Sequence, residues 1–317
     1  MKTATAALRL LLEDPHLDPD HLDWTHLRRV AEAERVIVRL ADRLTGRGET
    51  VPPVFGAAAV RARARAERLV MVVAQVSDAC RRHGVPHAFL KVAERYPDSG
   101  RDLDLLVAPR SPDVDRLILR DLPVAPQRRS WRGRLTGAAT YVIAGDLVLD
   151  VHHGRLGQFG EHARYAQGLL QRVRAVPLAG TGCPAPPPED HLLLLAMNQV
   201  YTRPAFRLGD VYWTLATLRE RVFAWSDLVP MARTIGILPA LLSYVEHVDE
   251  VHRRVFSEAP PLRFPRPRLV GRVYLRQVRH ALTTHDWASA ARLSCLPVVA
   301  LASGVRRLAP HHRRPSR

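Results

Sequence analysis

Asp102 and Asp104 stand one residue apart inside the run Gly100-Arg101-Asp102-Leu103-Asp104-Leu105-Leu106-Val107. In an extended strand, side chains at i and i+2 leave from the same face. Both carboxylates therefore project together, while Leu103 and Leu105 enter a core. An Asp-X-Asp triplet is ordinary at solvated strand ends. This one is followed by an apolar strand, where unpaired acids are seldom found. Asp150 adds a third carboxylate within a second apolar run, Leu147-Val148-Leu149-Asp150-Val151, with Val148, Asp150 and His152 on one face. Neighbouring carboxylates repel unless a cation lies between them, and Mg²⁺ or Mn²⁺ takes such hard oxygen ligands. Three carboxylates from two adjacent strands suit a pair of divalent cations. One cation activates an attacking hydroxyl, and the other binds nucleotide phosphates and the leaving group.

Basic groups precede and follow the acids. The chain holds 47 Lys and Arg residues, yet its only lysines are Lys2 and Lys91. Lys91 lies just ahead of the acidic strand, and a compact ammonium on a flexible stem is well suited to phosphate. Arg101 abuts Asp102, and His152 follows Asp150 on the same face. These three are the candidate phosphate-binding groups.

Helical and extended segments alternate around these residues. Apolar spacing predicts helices from Leu8 to Glu13, from Asp20 to Leu44 and from Gly56 to Arg82, the last stopped by His83-Gly84. Strands are expected at Ala88 to Lys91, Leu103 to Val107, Thr140 to Ile143 and Leu147 to Val151. Ala144-Gly145-Asp146 reads as the turn of a hairpin joining the last two, and Asp113 to Leu122 reads as a helix. Pro177 to Pro188 is rich in Pro and Gly and reads as a linker. Beyond it the pattern is helical: Glu189 to Tyr201, Leu208 to Arg221, Ser226 to Ile235, Ile237 to Phe256 and Arg268 to Thr283. The expected organisation is an α/β (α+β) fold. A small mixed-sheet core over residues 80–175 is flanked by an N-terminal helical region (1–79) and a C-terminal helical domain (189–300). A linker (176–188) and a basic tail (301–317) complete the chain.

At 317 residues, with 47% hydrophobic and 25% charged side chains, the sequence can bury sizeable cores and is not that of a disordered chain. No run approaches the roughly 18 to 20 apolar residues of a membrane span. Three scattered cysteines at neither metal nor redox spacing, and no secretory pattern, point to a cytoplasmic protein. The net charge of +16 fits a polyanionic partner, but arginine in place of lysine throughout also fits GC-rich codons. His83 and His87 are separated by Gly84 and Pro86, which removes helical metal-ligand geometry.

The motifs together resemble the nucleotidyltransferases related to DNA polymerase beta, in particular a bacterial group of uncharacterised nucleotidyltransferases. Leu90-Lys91-Val92, Gly100-Arg101-Asp102-Leu103-Asp104 and Leu149-Asp150-Val151-His152 stand in the order and spacing of that group's elements. Asp23-Trp24, Val51-Pro52, His191 to Ala196, Arg207 to Asp210 and Ala224 to Leu228 extend the likeness over most of the chain. Two positions depart from it: Val92 stands where the group has glycine, and Arg101 is closer to the acidic pair than usual.

The resemblance implies transfer of a nucleoside monophosphate from an NTP to an acceptor hydroxyl or phosphate. Asp102, Asp104 and Asp150 would hold Mg²⁺ or Mn²⁺, with Lys91, Arg101 and His152 on the phosphates. The acceptor implied is a small molecule, peptide or saccharide of a tailoring pathway. RNA is the alternative acceptor, for a toxin-like enzyme. A nucleotide- or RNA-binding relative without turnover is a further alternative, for which Val92 is the motive.

Overall fold

The computed structural model describes residues 2–12, 22–109, 114–127, 138–143, 147–157, 160, 162–201, 207–220, 223–256, 273–283 and 285–294. The first helices are α1 (Lys2–Leu11), α2 (Trp24–Ala33) and α3 (Ile37–Gly46). Asp23 starts α2, its carboxylate accepting from the His26 N–H at 3.0 Å. The 20–44 segment, expected as one helical run, is thus two helices with a corner at Glu34-Arg35-Val36. Apolar spacing persists through the corner because Val36 is itself buried, so the pattern hides the break.

Helix α4 (Pro53–Arg82) spans 30 residues and begins with proline at its first position, where a missing N–H costs nothing. It ties the two cores together. Phe55, Ala58, Ala59 and Ala62 pack among the helical segments, whereas Leu69, Val72, Val73, Val76 and Ala79 pack under the sheet. Gly84, at φ +62, supplies the left-handed residue that ends it.

The sheet is built from β1 (His87–Leu90), β2 (Asp102–Val107), β3 (Val124–Pro126), β4 (Ala138–Ile143) and β5 (Val148–His153), with α5 (Val114–Asp121) between β2 and β3. Its order is β1-β2-β5-β4-β3, with β2 and β5 parallel and the other neighbours antiparallel. This is a mixed sheet within an α/β fold flanked by helices. The β4–β5 pairing is that of a hairpin, and its turn residues 144–146 lie outside the described residues.

One sheet face, with Phe89, Leu103, Leu105, Val107, Leu149 and Val151, packs on α4 and α5. From the opposite face, Ala88, Leu90 and Leu106 join the helical core. That core also includes α6 (Ala163–Gln171).

The stretch expected as a linker is folded. There β6 (Arg174–Leu178) and β7 (Thr181–Ala185) form an antiparallel ribbon. Leu178, Cys183 and Ala185 are buried against the sheet's core. Pro177 and Pro184 hid these strands, because proline removes a ladder donor and argues against a central strand. A two-stranded ribbon tolerates it on the unpaired side.

Helices α7 (Pro188–Tyr201), α8 (Leu208–Glu220), α9 (Trp225–Thr234), α10 (Leu238–Phe256), α11 (Val273–Thr283) and α12 (Trp287–Ser294) follow. Tyr212, Trp213 and Trp225 pack against the helical core. Arg203, Cys295 and the basic tail lie outside the described residues. Among the described residues no helix is long and apolar enough to cross a membrane.

Candidate active site

Strand register brings the carboxylates together. In the parallel β2–β5 pair, Asp104 is the Cα partner of Asp150, Asp102 of Val148 and Leu106 of His152. Alternation then puts Asp102, Asp104, Asp150 and His152 on one face, as the sequence predicts. Leu103, Leu105, Leu149 and Val151 are buried on the other.

Asp104 is the most constrained member. Lys91 Nζ lies 2.8 Å from its Oδ2, and His152 Nε2 lies 3.2 Å from its Oδ1. Burial pushes the Asp104 carboxyl up. Lys91 and then His152 outweigh it and hold the group far below the ordinary carboxylate range. Lys91 reaches Asp104 because it follows β1 directly, and Leu90 is the Cα partner of Asp104. The Lys91 backbone is left-handed, at φ +62, which turns the chain sharply out of β1.

Asp150 accepts a hydrogen bond from the Thr140 hydroxyl at 2.6 Å. Burial raises its carboxyl, and Asp104 and Asp102 raise it further against the pull of Thr140 and His152. Mutual repulsion of this kind is what a bound cation relieves. Asp102 is half-exposed at the strand's entrance, with Arg35 Nη2 3.6 Å from its Oδ2. Arg101 is exposed, and its carbonyl accepts from the Val148 N–H at 2.8 Å.

Val92 does not crowd this face. Its side chain is 3% exposed and belongs to the apolar core on the other side of the sheet.

The segment between Lys91 and Asp102 is held by distant helices. Asp98 accepts from the Val38 N–H (2.7 Å) and the Arg39 N–H (3.1 Å) at the start of α3. Arg39 also donates to the carbonyls of Glu94, Arg95 and Tyr96. Arg95 grips Asp210 of α8 with contacts of 2.9 to 3.2 Å. Each of these contacts joins positions 55 or more apart, so spacing along the chain does not show them; only Asp210 had a signal, inside the Arg207 to Asp210 likeness.

The acidic face offers three carboxylates with the Thr140 hydroxyl beside Asp150, all of them oxygen groups of the kind a hard divalent cation takes. Among the described residues, no group of three or more His, Cys, Asp or Glu side chains converges into a metal-ligating cluster. The Lys91 ammonium supplies positive charge at Asp104. His83 pairs with Asp121, and His87 Nδ1 lies 2.9 Å from the Val85 carbonyl. Neither takes part in the site.

Residues 20–253, well over half of the chain, match a known family described as an uncharacterised nucleotidyltransferase. The chain belongs to that family. The matched range contains the whole acidic face, Lys91 and the helices that clamp the intervening segment. No curated protein matches this nucleotidyltransferase. Among solved structures it is similar to the antibiotic-resistance factor ANT(2″)-Ia in solution, at 13% identity and a TM-score of 0.39, over 59% of this chain and 98% of that one. A likeness that distant bears on neither the acceptor nor the site residues.

Proposed function

We propose that this nucleotidyltransferase is metal-dependent and transfers a nucleoside monophosphate from an NTP to an acceptor hydroxyl or phosphate. The observation that carries the reading is the register that opposes Asp104 to Asp150, with Asp102 on the same face. Asp102, Asp104 and Asp150 would hold Mg²⁺ or Mn²⁺, their carboxylates drawing together around the cation. When bound, the cation makes the acceptor oxygen a better nucleophile and offsets charge on the phosphates. The acceptor oxygen bonds to the α-phosphorus, the α–β bridging bond breaks, and pyrophosphate leaves. The acceptor proton passes to Asp150. Lys91, Arg101 and His152 steady the phosphates, Lys91 by exchanging Asp104 for a phosphate oxygen. No covalent enzyme intermediate is needed, because positioning and charge stabilisation carry phosphoryl chemistry.

The acceptor proposed is a small molecule, peptide or saccharide, in a cytoplasmic tailoring reaction. The net charge of +16 favours RNA as the second candidate. The engagement of both Asp104 oxygens, by Lys91 and His152, is the observation favouring a nucleotide-binding relative without turnover.

Incubation with each α-labelled NTP and Mg²⁺ or Mn²⁺, with metabolite extract or cell RNA, separates these readings. Label on a small acceptor supports the first, and label on RNA the second. Nucleotide binding without label transfer to anything would overturn the catalytic reading.

A further inference from the structure

The corner between α2 and α3 delivers an arginine to the edge of the acidic face. Arg35 has φ +57, a left-handed conformation that an L side chain adopts at a cost and glycine adopts freely. The surroundings hold it there. The Val36 N–H donates to the Ala31 carbonyl at 2.9 Å, and the Glu34 carboxylate accepts from the Leu208 N–H at 2.7 Å. Gly209 then packs so close that an added Cβ would sit 3.0 Å from the carbonyl oxygens of both Glu34 and Arg35. The corner is thus pinned between the first turn of α8 and the core, and its strained residue carries the side chain that leaves for the site.

The guanidinium of Arg35 lies against the backbone of Gly100, where a Cβ would fall 2.1 Å from Nη1. From that seat Nη2 faces Asp102 Oδ2 at 3.6 Å, beyond hydrogen-bond length. Asp102 is half-exposed here, so the pair is a loose, solvent-screened contact. A planar guanidinium at the edge of the acidic face, 3.6 Å from a carboxylate proposed to hold the cation, is well placed to donate both arms to a phosphate.

We propose that Arg35 is a triphosphate-binding residue of this active site, supplied by the N-terminal helices and seated on Gly100. This rests on the nucleotidyltransferase reading above and assigns to it a phosphate ligand from outside the acidic strands. On nucleotide binding the guanidinium exchanges Asp102 for phosphate oxygens, and no bond to carbon or phosphorus changes. A purely structural Arg35 would instead tether the helices to the sheet, and substitution would lower stability without touching nucleotide affinity.

The test uses the full chain with Mg²⁺ and each of ATP, GTP, CTP and UTP, measuring dissociation constants by calorimetry and thermal midpoints in parallel. Arg35→Gly removes the side chain at a backbone position that glycine prefers, so its midpoint should equal or exceed that of the wild type. Its Kd for the best-bound NTP should rise at least tenfold. Gly100→Ala, which leaves Arg35 in the chain but displaces its guanidinium, should raise Kd in the same direction. Arg35→Lys should recover only part of the affinity. Should Arg35→Gly not fold, Gly100→Ala and Arg35→Lys carry the comparison. Unchanged affinity in the folded variants, with a wild type that binds NTP, overturns the role of Arg35 and leaves the proposed function standing. A wild type that binds none of the four overturns both.

Discussion

Thr140 donates its hydroxyl to Asp150 at 2.6 Å from the strand opposite the one that carries Asp104. Asp150 is therefore flanked on both sides, by a carboxylate on β2 and by a hydroxyl on β4. Fixing a carboxylate's rotamer through a neighbour is how metal-binding and catalytic acids are oriented. Thr140→Val keeps the shape and removes the donor. Its kcat should fall by about tenfold with the NTP KM nearly unchanged. Thr140→Ser should restore most of the loss. A Val variant with wild-type kcat would show that Asp150 needs no such partner.

Arg95 and Asp210 join the segment between β1 and β2 to the first turn of α8, and both are largely buried. Removing one partner strands a buried charge. Arg95→Met should cost about 3 to 5 kcal/mol in urea unfolding. Pairing it with Asp210→Asn should recover a large part of that, because no unpaired charge remains. Additive losses in the double-mutant cycle would mean that the two side chains act independently.

Glu94 Oε1 lies 3.2 Å from His191 Nδ1, with the side chains 11% and 1% exposed. Burial drives the Glu94 carboxyl from 4.5 up to about 7 against the pull of Arg95 and Lys91. Burial, then Arg95 and Lys91, keeps His191 well below its ordinary value. A carboxyl raised in the fold contributes stability below pH 4.5 and loses it as pH rises through about 7. His191 acts oppositely: its contribution holds above pH 6.5 and is lost on acidification. Glu94→Gln removes only the decline between pH 4.5 and about 7. Relative to wild type it should gain on the order of 1 to 3 kcal/mol between pH 5 and pH 8 in chemical denaturation. A difference that stays constant with pH would contradict a raised Glu94.

The acidic face was readable from sequence because strand alternation is a local rule. It sent Asp102 and Asp104 to one side of β2, and Asp150 and His152 to one side of β5. That β2 and β5 are neighbours, and parallel, is a fact of topology that spacing along the chain does not carry. The same limit hid the contacts of Arg35 and Arg39, which reach the site's supporting segment from the N-terminal helices, and the pairing of Arg95 with Asp210. Two local features misled. Buried Val36 continued the helical pattern through a corner, and Pro177 and Pro184 disguised a ribbon as a linker. Val92 was legible as a departure from the family pattern, but its direction into the core needed the strand exit at left-handed Lys91.

We propose that Asp102, Asp104 and Asp150 form one cation centre that works with a bound nucleotide. Mn²⁺ titration followed by electron paramagnetic resonance, with and without each NTP, tests it without knowledge of the acceptor. The wild type should remove free Mn²⁺ from solution more strongly with its preferred NTP than the NTP does alone. Asp104→Asn should lose that excess while unfolding at a comparable midpoint. Equal Mn²⁺ uptake by the wild type and folded Asp104→Asn would rule out such a centre.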